Sequence, residues 1–183
     1  MKQSNIDKLI AESLAMETES AKDAGTLGFM ARAMVQATMP HRDTTDVHHR
    51  RSNGNYHLTM AALNPDVGLP FGSIPRLMLA FIGAEVVRTK EREIVLGDSM
   101  SAFMRELGLV PTGGRWGTVT RLKDQSKRLT SCAITCTYTD ADYFDSGPEP
   151  YTIGRGKFWW NPQAPEQLGL FKSTLELLSL IHI

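Results

Sequence analysis

Hydrophobic and polar positions recur with different periods along the chain, and the period changes at turn residues. In the first 38 residues, Ile6, Leu9, Ile10 and Leu14 form an apolar stripe at helical spacing, with Asp7, Glu12, Glu17 and Glu19 on the polar side. After Gly25 and Gly28, a second stripe of Phe29, Met30, Ala33, Met34 and Ala37 runs to Pro40. Together these predict a helical arm over 1–39, either packed on the domain or serving a partner or a second copy. Tyr56, Leu58 and Met60 alternate with His57 and Thr59 after the Asn53-Gly54 turn signal, which predicts a strand over 55–62. His48, His49, Arg50 and Arg51 precede that turn as a weakly basic loop. Ser73 and Pro75 mark the start of a helix over about 76–89, with Leu77, Met78, Phe81, Ile82 and Val86 apolar at helical spacing. A short strand follows at 93–96.

The stretch from Asp98 to Tyr138 organises the rest. Asp98 or Ser99 caps a helix that buries Phe103, Met104 and Leu107 and closes at Gly108. Gly113, Gly114 and Gly117 then make a turn, with Arg115 and Trp116 at the mouth of a third helix over about 118–131. At 100° per residue this helix sets Val119, Leu122, Ser126 and Leu129 on one side. Arg121, Asp124, Gln125 and Arg128 lie opposite, and Lys123 and Lys127 flank them. Cys132 to Tyr138 alternates as a strand, an acidic turn spans 140–150, and 151–160 returns. A last strand over about 170–178 joins the same sheet. Helix, turn, basic helix and hairpin make an α+β winged helix, a helix-turn-helix with a β-hairpin wing, preceded by the helical arm.

Charge changes the picture only locally. The chain of 183 residues carries 20 basic and 20 acidic side chains, so it has no global cationic character. Between Pro111 and Arg128, however, Arg115, Arg121, Lys123, Lys127 and Arg128 face one acid, Asp124. A local patch of this kind is what duplex DNA requires. Arg121 and Gln125 are of the types that pair with guanine and adenine edges. Lys123, Lys127 and Arg128 suit phosphates, and amides near Thr118 and Arg115 can meet a phosphate at the helix start. Arg155 and Lys157 on the returning strand can track the backbone, and Phe158, Trp159 and Trp160 offer a stacking platform for single-stranded nucleic acid, although alternation buries at least one of them and favours core. A solvated amphipathic helix accounts for the same pattern.

Other chemistry is not expected. His41, His48, His49 and His57 lack a carboxylate or thiolate at ligand spacing, so no metal is assigned. Cys132 and Cys136 fall on one face of one strand, too far apart to bond to each other. The glycine turn lacks the Lys-Ser/Thr of a phosphate loop, and no cofactor motif is present. Tyr138, Tyr143 and Tyr151 have no metal-binding His pair that would make a nicking nucleophile of them. An enzyme is not expected, and no apolar run is long enough to span a bilayer.

The segments G-L-P-F-G-S-I-P-R-L-M-L-A-F-I (68–82), V-R-T-K-E-R-E-I-V-L-G-D-S (87–99), F-M-R-E-L-G-L (103–109), T-G-G-R-W-G-T-V-T-R-L-K-D-Q (112–125) and L-T-S-C-A-I-T-C-T-Y (129–138) resemble bacterial plasmid RepA-type replication initiators. P-H-R at 40 and N-G-N-Y-H-L-T-M at 53 fit the same family. The resemblance covers 40–178. It implies a cytoplasmic, plasmid-associated protein that binds repeated sites in double-stranded origin DNA, helps open the duplex and brings in host replication proteins. Related initiators carry two winged-helix domains and repress their own promoters as dimers. On this reading 40–178 is one winged-helix domain, a second would follow, and the terminal 179–183 is a non-native end. The alternatives are a homodimerising or protein-docking module in which DNA contact is incidental, and a winged-helix transcriptional repressor.

Overall fold

A computed structural model describes residues 38–89, 91–141, 144–145, 151–152, 154–169 and 172–177. The helical arm expected over 1–39 lies almost wholly outside the described residues, as does the terminal stretch after 177. The elements, in chain order, are β1 (His48–Asn53), β2 (Tyr56–Ala62), α1 (Ser73–Thr89), β3 (Glu93–Val95), α2 (Met100–Glu106), α3 (Thr118–Thr130), β4 (Cys132–Thr139), β5 (Phe144–Asp145), β6 (Tyr151–Thr152), β7 (Arg155–Lys157) and β8 (Thr174–Glu176). The fold is α+β, with its strands in two antiparallel sheets.

The helices form where the stripes place them. Ile74, Met78, Ile82 and Val86 recur every fourth residue along α1 and are buried. Ser99 caps α2 by accepting a hydrogen bond from Ala102 N at 3.1 Å. Phe103, on α2, is the centre of the core. Its ring meets Phe81 of α1 edge-on at 5.2 Å and stacks on Trp160 at 5.5 Å. Val119, Leu122, Ser126 and Leu129 are the buried face of α3, and the Ser126 hydroxyl is satisfied by donating to the Leu122 carbonyl at 2.7 Å.

The strands depart from the expected layout in two places. The basic stretch before Asn53-Gly54 is a strand, not a loop: β1 pairs with β2 along its whole length, from His48↔Ala61 to Asn53↔Tyr56. The tight turn is Gly54-Asn55, one residue beyond the expected Asn53-Gly54, and with Gly54 at φ 56° it makes that pairing available to whatever residues precede it. The expected hairpin of 132–138 with 151–160 does not form as one unit. β4 pairs over seven residues with β2, from Tyr56↔Tyr138 to Ala62↔Cys132. Only Ala133 and Ile134 pair with β6.

The returning strand breaks at Gly154. There φ is +150°, and a Cβ would strike the Glu176 carbonyl and Leu177. Beyond that break β7 pairs with β8 instead of β4. β8 pairs in turn with β3, giving the order β3-β8-β7. The last strand therefore does share a sheet with residues 155–157, as expected, but this is a different sheet from that of β4.

Cys132, Ile134 and Cys136 point inward from β4 together with Leu58 and Met60 of β2. Burial pushes both thiols up to about 12 from an ordinary value of 9.0. The sign of the consequence follows from proton binding. Below the ordinary thiol value the folded and unfolded chains both keep these protons. Above it the unfolded chain releases them first, so stability falls as pH rises from 9.0 toward about 12.

Two outcomes are expected. Iodoacetamide at mildly alkaline pH should alkylate neither cysteine in the folded chain faster than the chain unfolds, while chain in denaturant reacts at once; rapid labelling of native protein would contradict the burial. Gly154→Ala should lower stability by at least ~2 kcal/mol, read as a shift of the urea midpoint, because both the backbone angle and the Glu176 carbonyl exclude a Cβ.

Candidate nucleic-acid interface

α3 is the element that carries the candidate chemistry, and its surroundings divide its polar residues into two groups. Residues 38–43 and the loop 64–72 lie across one side of it. Gln125 is 4% exposed, and its Oε1 accepts the Phe71 amide at 2.8 Å. The Arg128 side chain is 15% exposed. Its guanidinium donates to Asp43 Oδ1 at 2.8 Å, to the Leu69 carbonyl at 3.1 Å and to Asp124 Oδ2 at 3.0 Å. It also lies over the Phe71 ring, 5.1 Å from the centroid. Gly68, at φ +80°, passes so close that a Cβ there would sit 3.0 Å from Arg128 Nη1.

The expected outward set of Arg121, Asp124, Gln125 and Arg128 therefore breaks up. Arg121 and Asp124 are exposed, whereas Gln125 and Arg128 are turned inward. For Gln125 the helical wheel itself holds the reason. It falls 40° from Leu129, at the edge of the buried stripe. Arg128 has no such local cause, since Asp43 is 85 residues away in sequence.

The start of α3 is likewise closed from within. Thr112 and Thr118 bond reciprocally: each amide donates to the other's hydroxyl oxygen, both at 2.9 Å. The Thr118 hydroxyl donates to the Val110 carbonyl at 2.6 Å, and the Val119 amide donates to the Thr112 carbonyl at 3.3 Å. Thr118 thus serves the turn. Its amide and that of Val119 are already bonded, so the anion seat expected at this helix start is occupied by the loop.

The cations that face solvent are Arg115, Arg121 and Lys127, with Lys123 half-buried beside them. Among the described residues none of these four has a carboxylate partner within salt-bridge distance. Arg155 and Lys157 are exposed on β7, which packs against α3. A Cβ on Gly156 between them would lie 3.1 Å from Thr130 Cγ2, so Gly156 faces the helix and Arg155 and Lys157, alternating with it, project from the opposite face of the strand. Phe158 is half-buried and Trp160 is buried, as the strand alternation required, while Trp159 is 57% exposed.

Two features escaped the pattern reading. One is Trp116, which is 81% exposed although it lies in a hydrogen-bonded loop. Its place in a glycine turn, outside any periodic stripe, was the available signal. The other is the Asp43–Phe71 contact set around Arg128, which leaves no local signal. The histidines scatter: His49 bonds the Thr38 carbonyl at 3.1 Å, and His57 bonds Ser52 at 2.8 Å. Among the described residues no helix is long and apolar enough to cross a membrane.

The Arg128 contacts imply a stability role that a substitution can measure. Arg128→Ala should lower stability by ~2 kcal/mol, a melting shift of roughly 4–8 °C, because it removes charge-assisted bonds and leaves the Leu69 carbonyl without its donor. An unchanged melting temperature would mean that the clamp contributes nothing.

The model of a family described as "Plasmid encoded RepA protein" matches residues 69–182, from the loop beneath Arg128 through α1, α2, α3 and β8. No curated protein and no solved structure matches the chain. The matched span covers more than half of the sequence, and the chain belongs to the plasmid-encoded RepA protein family.

Proposed function

We propose that this chain is a plasmid replication initiator that binds double-stranded origin DNA through α3 and helps bring host replication proteins to that site. Family membership supports the replication role. The DNA-binding role rests on one observation: among the described residues, the solvent-facing cations of α3 and its entry loop have no carboxylate partner, while Arg128 of the same helix is paired for structure. An unpaired cationic surface on a neutral chain suits a polyanion, because each contact releases counterions from the duplex.

The arrangement α1-β3-α2-α3-β7-β8 supports a winged-helix reading. In it the strand between the first two helices lies beside the last strand, as in the order β3-β8-β7. β4, β5 and β6 are then an insertion that pairs with the β1–β2 hairpin. In this reading α3 is the recognition helix. Arg121 is the candidate for a base edge. Arg115, Lys123 and Lys127 hold phosphates, and Arg155 and Lys157, on the outer face of β7, meet the backbone only where the duplex runs past the sheet. Gln125, Arg128 and Thr118 stay within the protein. The role is one of binding, with no catalytic step and no cofactor, and it places the protein on plasmid DNA in the bacterial cytoplasm.

The test separates cations by role. In a mobility-shift titration on a duplex carrying the plasmid's origin repeats, Arg121→Ala with Lys127→Ala should weaken binding by more than about tenfold. The slope of log affinity against log salt should become shallower by about 1, because Lys127 is the phosphate contact of the pair. Arg128→Ala, assayed below its melting temperature, should keep the wild-type slope. A double variant that binds like wild type would remove α3 as the contact helix.

A further inference from the structure

The loop that enters α3 displays an aromatic ring in an unusual setting. Trp116 is 81% exposed, although tryptophan is among the side chains that folding covers most on average. The loop beneath it is tightly bonded. Thr112 and Thr118 tie its two ends together at 2.9 Å, the Gly117 amide donates to the Gly114 carbonyl at 3.1 Å, and the Thr120 hydroxyl donates to the same carbonyl at 2.9 Å. Gly117 sits so close to the Thr112 and Gly113 carbonyls that no Cβ fits. The ring is therefore held out by a fixed backbone. Arg115 lays its guanidinium over the indole, 5.2 Å from the ring centre.

A ring with a cation on one side and solvent on the other suits a flat, electron-rich partner carried on an anionic chain. The exposed residues on either side of Trp116 in sequence, Thr112 to Arg115 and then Thr120 and Arg121, are polar, cationic or glycine. That is a poor setting for an apolar protein contact and a good one for nucleic acid. Bases inside a duplex are already stacked on each other, so the ring can reach only a base that has left the stack. We propose that Trp116 is a stacking site for an unpaired nucleobase beside the bound duplex, with Arg115 backing the ring. The site favours opened over closed DNA at the position it touches. This inference rests on the DNA-binding reading above, because the cations of α3 bring the ring to the strand.

The experiment compares a fully paired duplex carrying the origin repeats with a fork of the same sequence, in which 2-aminopurine occupies the first unpaired position. Wild type should bind the fork more tightly than the duplex and change the 2-aminopurine emission on binding. Trp116→Ala should lose about tenfold in fork affinity, together with the emission change, and keep its duplex affinity within about twofold. Trp116→Phe should retain most of both. Melting curves of the two variants should match wild type, since the exposed ring supports no packing. Unchanged fork affinity in Trp116→Ala would overturn the proposal, as would equal losses on fork and duplex. Failure of wild type to hold the paired duplex at all would instead overturn the DNA-binding reading on which it rests.

Discussion

The guanidinium of Arg128 is the point at which separate parts of this chain meet. It joins the helix that bears it to Asp43, to the Leu69 carbonyl and to the Phe71 ring, while Gln125 one turn earlier takes the Phe71 amide. A largely covered arginine is tolerable only when its donors are matched, and here two carboxylates and a carbonyl match them. These contacts fix residues 38–43 and the loop before α1 against α3. Arg76 reinforces the join from the α1 side by donating to the Met39 carbonyl at 2.8 Å. The cost is that the Gln125 and Arg128 side chains are unavailable to anything outside the protein.

That constraint decides which cations face water. Of the basic residues along α3, Arg121 and Lys127 stay exposed, on either side of the held Arg128 around the helix, with Arg115 just ahead of it. The second sheet adds two cations near the helix, on the face of β7 turned away from it. Gly154 admits a backbone angle and a close approach that no other residue allows, and the chain leaves β4 there to pair with β8. β7 then lies against α3 with Arg155 and Lys157 exposed. Local concentration of positive charge on an otherwise neutral chain thus comes from packing as much as from composition.

The entry loop of α3 shows the same economy of design in a different form. Its threonines satisfy the first amides of the helix, so the helix start has little left for an anion. The same bonds hold Trp116 in a fixed position at the surface. A rigid aromatic projection costs little ordering entropy when it finds a flat partner, which is the physical basis for assigning it to a base instead of a phosphate.

The sequence by itself determined the helices of the described residues, the inward faces of α1, α2 and β4, and the family, with α1 starting at Ser73, ahead of the expected 76. These follow from periodicity, caps and turn residues, which are local. It also showed that the basic residues concentrate around α3. Only the tertiary structure decided which of them are available. Arg121 and Arg128 are equally exposed on a helical wheel, yet one faces solvent and the other is bound by Asp43, 85 residues away in sequence. The wheel has no knowledge of what lies across the helix. The strand pairings were hidden for the same reason. β4 carries the alternation of any half-buried strand, and nothing in that alternation says whether its partner is the segment ahead of α1 or the one that follows.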